Sequence, residues 1–133
     1  MTIPWCTYTD PEIAHVGMYV REAIRRGIPV KTFTVPMYDV DRAVADGEEE
    51  GFVKIHVKEG SDKIIGATVV ARHAGEIIDN ISLAICSNIG LRRLARVIYP
   101  YPTQAAAIKM ASDSYNLPRL TPVRSWLLRR WLA

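Results

Sequence analysis

The sequence predicts an α+β fold built on an antiparallel sheet, and three observations lead there. "FVKIHVK" and "IIGATVV" are strand-like runs joined by the short segment "EGSDK", the pattern of an antiparallel hairpin. The longest helical spacing falls after residue 73, so strands and helices segregate along the chain instead of alternating. The 133 residues, 49% hydrophobic and 23% charged, suffice for one domain with its own core, and no internal repeat is visible.

Taken in order, "IPWCTYT" alternates bulky residues and stops at Asp10-Pro11, a turn signal, so the first strand is expected there. After Gly17, "MYVREAIRRG" sets Val20, Ala23 and Ile24 one helical turn apart, with Gly27 as the helix-ending glycine. That short helix should show Arg21, Arg25 and Arg26 to water. "VKTFTVPMY" is β-branched and alternating, hence a strand. "DVDRAVADGEEEG" carries six acids and reads as a solvated loop.

In the hairpin, Val53, Ile55 and Val57 share one face, while Lys54, His56 and Lys58 share the other. The second strand is apolar at nearly every position, which places it centrally in the sheet. Over 74–89, Ala74, Ile77, Ile78, Ile81, Ala84 and Ile85 form one helical stripe, closed by Gly90. Leu83 and Cys86 widen it, so this helix is expected to bury more than one side. "LRRLARVI" gives a further helical turn. Pro100 and Pro102 then stiffen an extended segment, and Thr103 is the expected N-cap of a helix over 104–114. Asn116 and Pro118 end the compact body, which leaves a domain of 1–116 and a basic amphipathic tail of 117–133.

The net charge of +3 is unevenly spread. From residue 119 onward there are four arginines and no acid, so the rest of the chain sums to −1. No positive stripe crosses the body, and nucleic acid is not an expected partner. Apolar runs fall short of the ~20 residues of a membrane span, and the first residues lack a basic-then-apolar leader; a cytoplasmic location is expected. Cys6 and Cys86 stand 80 residues apart without a CxxC, so neither a disulfide nor a metal site is expected. His15, His56 and His73 do not cluster, and surface or capping roles are expected for all three. Phosphate-binding glycine loops, HExxH and GxSxG are all missing from the sequence. Chemistry alone suggests no self-sufficient catalyst.

Four segments carry a resemblance: "TYTDPEIAHVGMYVREAIRRGI", "RAVADGEEEGFVKIHV", "KIIGATVVARHAGEIIDNISLAI" and "YPYPTQAAAIK". In that order, over about residues 4–112, they closely resemble the C-terminal dimerisation domain of the pyridine nucleotide-disulfide oxidoreductases. The resemblance implies an α+β domain forming a homodimer interface, joined to upstream FAD- and NAD(P)-binding domains that carry a redox-active CxxxxC. It implies that this chain, from Met1 on, is an excised portion of such an enzyme, binding no cofactor and inactive alone. The alternative is a stand-alone interaction or adaptor module without redox activity.

Disulfide-reducing members end with His-Pro-Thr-x-x-Glu, in which the histidine reaches the partner subunit's flavin and thiol pair and the glutamate orients it. Here Tyr101 holds the histidine position and Ala106 the glutamate position, while Pro102 and Thr103 match and are implied to face the partner's flavin. A phenol with an ordinary pKa near ~10 is a poor proton shuttle at neutral pH. "PYPTQAAAIK" is similar to the mercuric reductase branch, although that branch's C-terminal cysteine pair has no counterpart here. Tyr101 therefore carries two readings, a catalytic one and interface packing. The tail, with Trp126, Leu127, Leu128 and Trp131 among arginines, is expected to dock on its own domain or, on a second reading, to touch a membrane surface weakly.

Overall fold

Ten regular elements follow one another in the computed structural model, which describes residues 2–119. They are β1 (Trp5–Thr7), β2 (Glu12–Gly17), α1 (Val20–Arg25), β3 (Val30–Pro36), α2 (Asp41–Asp46), β4 (Phe52–Lys58), β5 (Ile64–Ala71), α3 (Ala74–Cys86), α4 (Leu91–Leu94) and α5 (Ala106–Asn116). All pairings are antiparallel, in the strand order β1-β2-β5-β4-β3. The expected hairpin is β4–β5, with Val53 opposite Val69 and Ile55 opposite Ala67. Flanked by β2 and β4, β5 is the middle strand that its apolar run calls for. The expected tail lies outside the described residues from 120 on.

The main core lies between one sheet face and helices α2 to α5. Helix α3 rests on β2 and β5, and α5 on β3 and β4. Val53, Ile55, Val69, Ile81 and Ile108 are fully buried there, and Phe33 meets Tyr115 edge-on with ring centroids 5.5 Å apart. Directly after β2 the chain folds over β5. The Met18 N–H donates to the Ile65 carbonyl at 2.8 Å, and a Cβ at position 66 would lie 2.2 Å from the Met18 carbonyl oxygen. Only glycine fits that crossing.

Several expectations are corrected. There are two strands before α1, not one: "EIAHVG" forms β2 beyond the Asp10-Pro11 turn. In α1 only Ala23 is buried and Ile24 is 68% exposed, because a six-residue helix beside β3 covers little. The acidic segment is no plain loop. Met37–Asp39 form a 3-10 turn, and α2 follows because Val40 and Ala43 are buried at helical spacing, while Arg42 pairs with Asp46 at 2.8 Å. Gly47, at φ 69°, closes it in the left-handed region. Helix α3 ends at Cys86 and is covered on one side only, leaving Leu83 and Cys86 exposed.

Thr103 does not cap α5 with its side chain, since the helix begins at Ala106 and its first turn closes itself. The Ala106, Ala107 and Ile108 N–H groups donate to the Thr103, Gln104 and Ala105 carbonyls. The Thr103 and Gln104 side chains instead turn inward, where Thr103 Oγ1 and both polar atoms of the Gln104 amide are buried without a partner among the described residues.

His15 and His56 are buried rather than exposed. His56 faces Gly66 across the β4–β5 ladder and Thr32 across β3–β4. The imidazole Nδ1 lies 2.9 Å from Thr32 Oγ1. Burial, then the charge of Lys54 and then His15, push its pKa down to about 4. His15 donates from Nε2 to the Gly17 carbonyl at 3.1 Å and accepts the Thr68 hydroxyl at Nδ1 at 2.9 Å. Its ring stacks on Tyr19 with centroids 3.7 Å apart. Burial also lowers the His15 pKa, against the Gly17 carbonyl and Glu22.

Two outcomes follow. An unfolded histidine binds its proton near pH ~6.5, whereas folded His56 does so only near 4. The stability tied to neutral His56 is therefore complete above pH ~6.5 and is lost as pH falls through about 4, amounting to roughly 3 kcal/mol. Urea unfolding of the chain and of His56→Gln at pH 7 and pH 4 should show the variant losing less stability on acidification. Gln104→Met keeps the side-chain length and removes the unpartnered amide, so the urea midpoint should rise, by about 1–3 kcal/mol of stability. A lowered midpoint would mean that the amide is satisfied in solution.

Candidate functional site

The segment between α4 and α5 leaves several apolar side chains uncovered. Leu91 and Leu94 bury α4, and Tyr99 lies half-buried against the core, where burial pushes its hydroxyl pKa up. Its neighbours face outward: Val97 is 42% exposed, Ile98 93% and Tyr101 79%. Prolines at 100 and 102 fix φ on either side of Tyr101, and the Tyr101–Pro102 peptide is cis.

The Tyr101 hydroxyl donates to Asp41 Oδ2 at 2.9 Å, across 60 residues of sequence. That hydrogen bond first, and the carboxylate's charge second, hold the phenol pKa above its ordinary value. At neutral pH the phenol keeps its proton. Beside it, an open cleft of about 410 Å³ runs between α2, α3 and the 102–105 turn, with Arg42, Asp46, His73, Glu76, Asn80 and Gln104 among its walls. No group of three metal-ligating side chains occurs among the described residues.

Of the residues singled out from sequence, Tyr101 stands at the rim and Pro102 lies exposed beside it. Thr103 lines the cleft, with its hydroxyl oxygen buried and without a partner among the described residues. Ala106 opens α5 and presents only a methyl group. Asp41 was hidden by its acidic surroundings, although the Val40/Ala43 spacing marks the helix that carries it. Gln104 had no signal beyond its place after Thr103.

Neither longer helix offers its N-terminus to a dinucleotide phosphate. At α3, Glu12 Oε2 accepts the Gly75 N–H at 3.1 Å, which puts a carboxylate where an anion would sit. Helix α5 closes its own first turn through backbone bonds. The residues present do not fit a resident FAD or NAD(P). Cys6 lies 4.0 Å from the same Glu12 carboxylate, and burial followed by that charge pushes its thiol pKa up, so it is a poor nucleophile. Cys86 is exposed, and both cysteines are free.

Over residues 3–112 the chain matches the family described as the pyridine nucleotide-disulphide oxidoreductase dimerisation domain. It is similar to the mercuric reductase of Shigella flexneri, 37% identical over 114 residues that cover 86% of this chain and 20% of that protein. It is also similar to the leghemoglobin reductase of Glycine max, 33% identical over 127 residues, 95% of this chain and 24% of that one. Among solved structures, LpdA from Mycobacterium tuberculosis matches with a TM-score of 0.80 at 29% identity, over 85% of this chain and 25% of its own. The HOCl-induced flavoprotein disulfide reductase RclA of Escherichia coli shares the fold, with a TM-score of 0.80 at 19% identity over 84% of this chain and 26% of its own. The chain thus spans only about a fifth to a quarter of these relatives. With the five-stranded antiparallel sheet, helices α3 and α5 packed on it and the family match over most of the sequence, the chain belongs to the pyridine nucleotide-disulphide oxidoreductase dimerisation-domain family.

Proposed function

We propose that this chain forms the subunit contact of a homodimeric, FAD- and NAD(P)H-dependent oxidoreductase similar to the mercuric reductases, and that it has no redox activity alone. The observation that carries the reading is the exposed apolar run at Val97, Ile98 and Tyr101, held out from the body by two prolines. Such side chains gain on the order of 1.5–3 kcal/mol each when fully buried. Grouped exposure of this kind marks protein interfaces, where tyrosine is also enriched. Leu83, 66% exposed on α3, adds to the uncovered apolar surface.

FAD and NAD(P)H are assigned to other domains of the parent, in keeping with the occupied N-terminus of α3. Within the dimer, Tyr101 reaches toward the partner. Its raised pKa makes it a fixed hydrogen-bonding group at neutral pH, not a proton shuttle. Position 106 cannot supply an orienting carboxylate, so the parent's reaction does not use the histidine–glutamate pair.

Sedimentation velocity of the chain over a range of concentrations should reveal a monomer–dimer equilibrium. Ile98→Glu puts a charge on the most exposed apolar side chain and should shift that equilibrium toward monomer by at least ~10-fold, with an unchanged circular dichroism spectrum. A chain that stays monomeric at high concentration, or an unaffected variant, would place the contact elsewhere.

A further inference from the structure

Three charged side chains on α2 and in the turn after it are engaged in ion pairs. Arg42 pairs with Asp46, and Glu48 with Arg72. Asp41 differs: it makes no ion pair among the described residues, and the hydrogen bond it accepts comes from Tyr101. Both ends of that contact are held. Asp41 is the first residue of a helix anchored by buried Val40 and Ala43, and Tyr101 sits between two prolines.

We propose, resting on the interface reading above, that Asp41 is the positioning residue for Tyr101, gripping the phenol by its proton and turning the oxygen's lone pairs outward. Carboxylic acids ionise near ~4 and phenols near ~10, so the shared proton stays on the tyrosine. Held this way, Tyr101 cannot donate to a second group without releasing Asp41. It offers an acceptor, and the group it meets in the assembled enzyme brings a proton or a positive charge. The carboxylate behind Tyr101 therefore comes from α2, and not from position 106 on α5.

The test is a carbon-13 NMR titration of tyrosine ring carbons in the 133-residue chain, with Tyr101→Phe identifying the Tyr101 signal. The Tyr101 midpoint should lie above the ordinary ~10, fall toward that value in Asp41→Asn and stay high in Asp41→Glu, which keeps the carboxylate. Equal midpoints in the unaltered chain and Asp41→Asn would overturn the assignment. If Asp41→Asn does not fold, the unaltered chain still decides. Its Asp41 carboxyl carbon should show an inflection at the pH where Tyr101 ionises, and a flat trace there would overturn the pairing. Sedimentation of the same samples scores the interface separately. A monomeric chain with a raised, Asp41-dependent midpoint supports the pairing while counting against the dimer.

Discussion

The close crossing of the chain over β5 at Gly66 is the constraint on which the remaining architecture depends. Met18 bonds to the Ile65 carbonyl, and its own carbonyl occupies the space where any other residue at 66 would carry a Cβ. This locks β2 against β5, and β5 in turn positions β4 and, through it, β3. Across the β4–β5 ladder, Gly66 stands opposite His56. The far end of β3 leads through a 3-10 turn into α2, so the placement of Asp41 is inherited from this central crossing.

The hairpin, the central place of its second strand and the long apolar stripe were legible in the sequence because each rests on local periodicity. What failed to show depended on partners distant in the chain. Helix α2 was masked by six acids, although only Val40 and Ala43 need to be apolar to hold it. β2 carries Glu12 and His15, which look solvent-facing until Gly75 and Thr68 appear beside them. The burial of His56 and its contact with Thr32 depend on neighbouring strands, which no pattern within 52–58 reveals. Thr103 looked like a cap by residue type, yet the backbone supplied the first-turn bonds. The Tyr101–Asp41 contact joins residues 60 apart and leaves no periodic trace.

The division of labour implied by the family is visible in how polar groups are used here. The carboxylate of Glu12 occupies the N-terminus of α3, the position at which a nucleotide-binding domain would hold phosphate. The half-buried thiol of Cys6 is held away from the thiolate form. Polar chemistry in the body of the domain stabilises its own fold, while the 97–101 segment exposes Val97, Ile98 and Tyr101, the last bonded to Asp41.

The borders of the sheet bear on how copies of this chain can meet. On one side β1 contributes only three residues, too short a template for another strand. On the other, β3 ends in Pro36, which has no N–H to offer, and carries exposed Lys31. Backbone-to-backbone pairing between subunits, which ignores side-chain identity and propagates without limit, is discouraged at both ends. Association is left to side-chain surfaces, whose partners can be exchanged by substitution while the ladder beneath stays the same. Divergent relatives can therefore keep one scaffold and still sort into separate dimers inside the same cell.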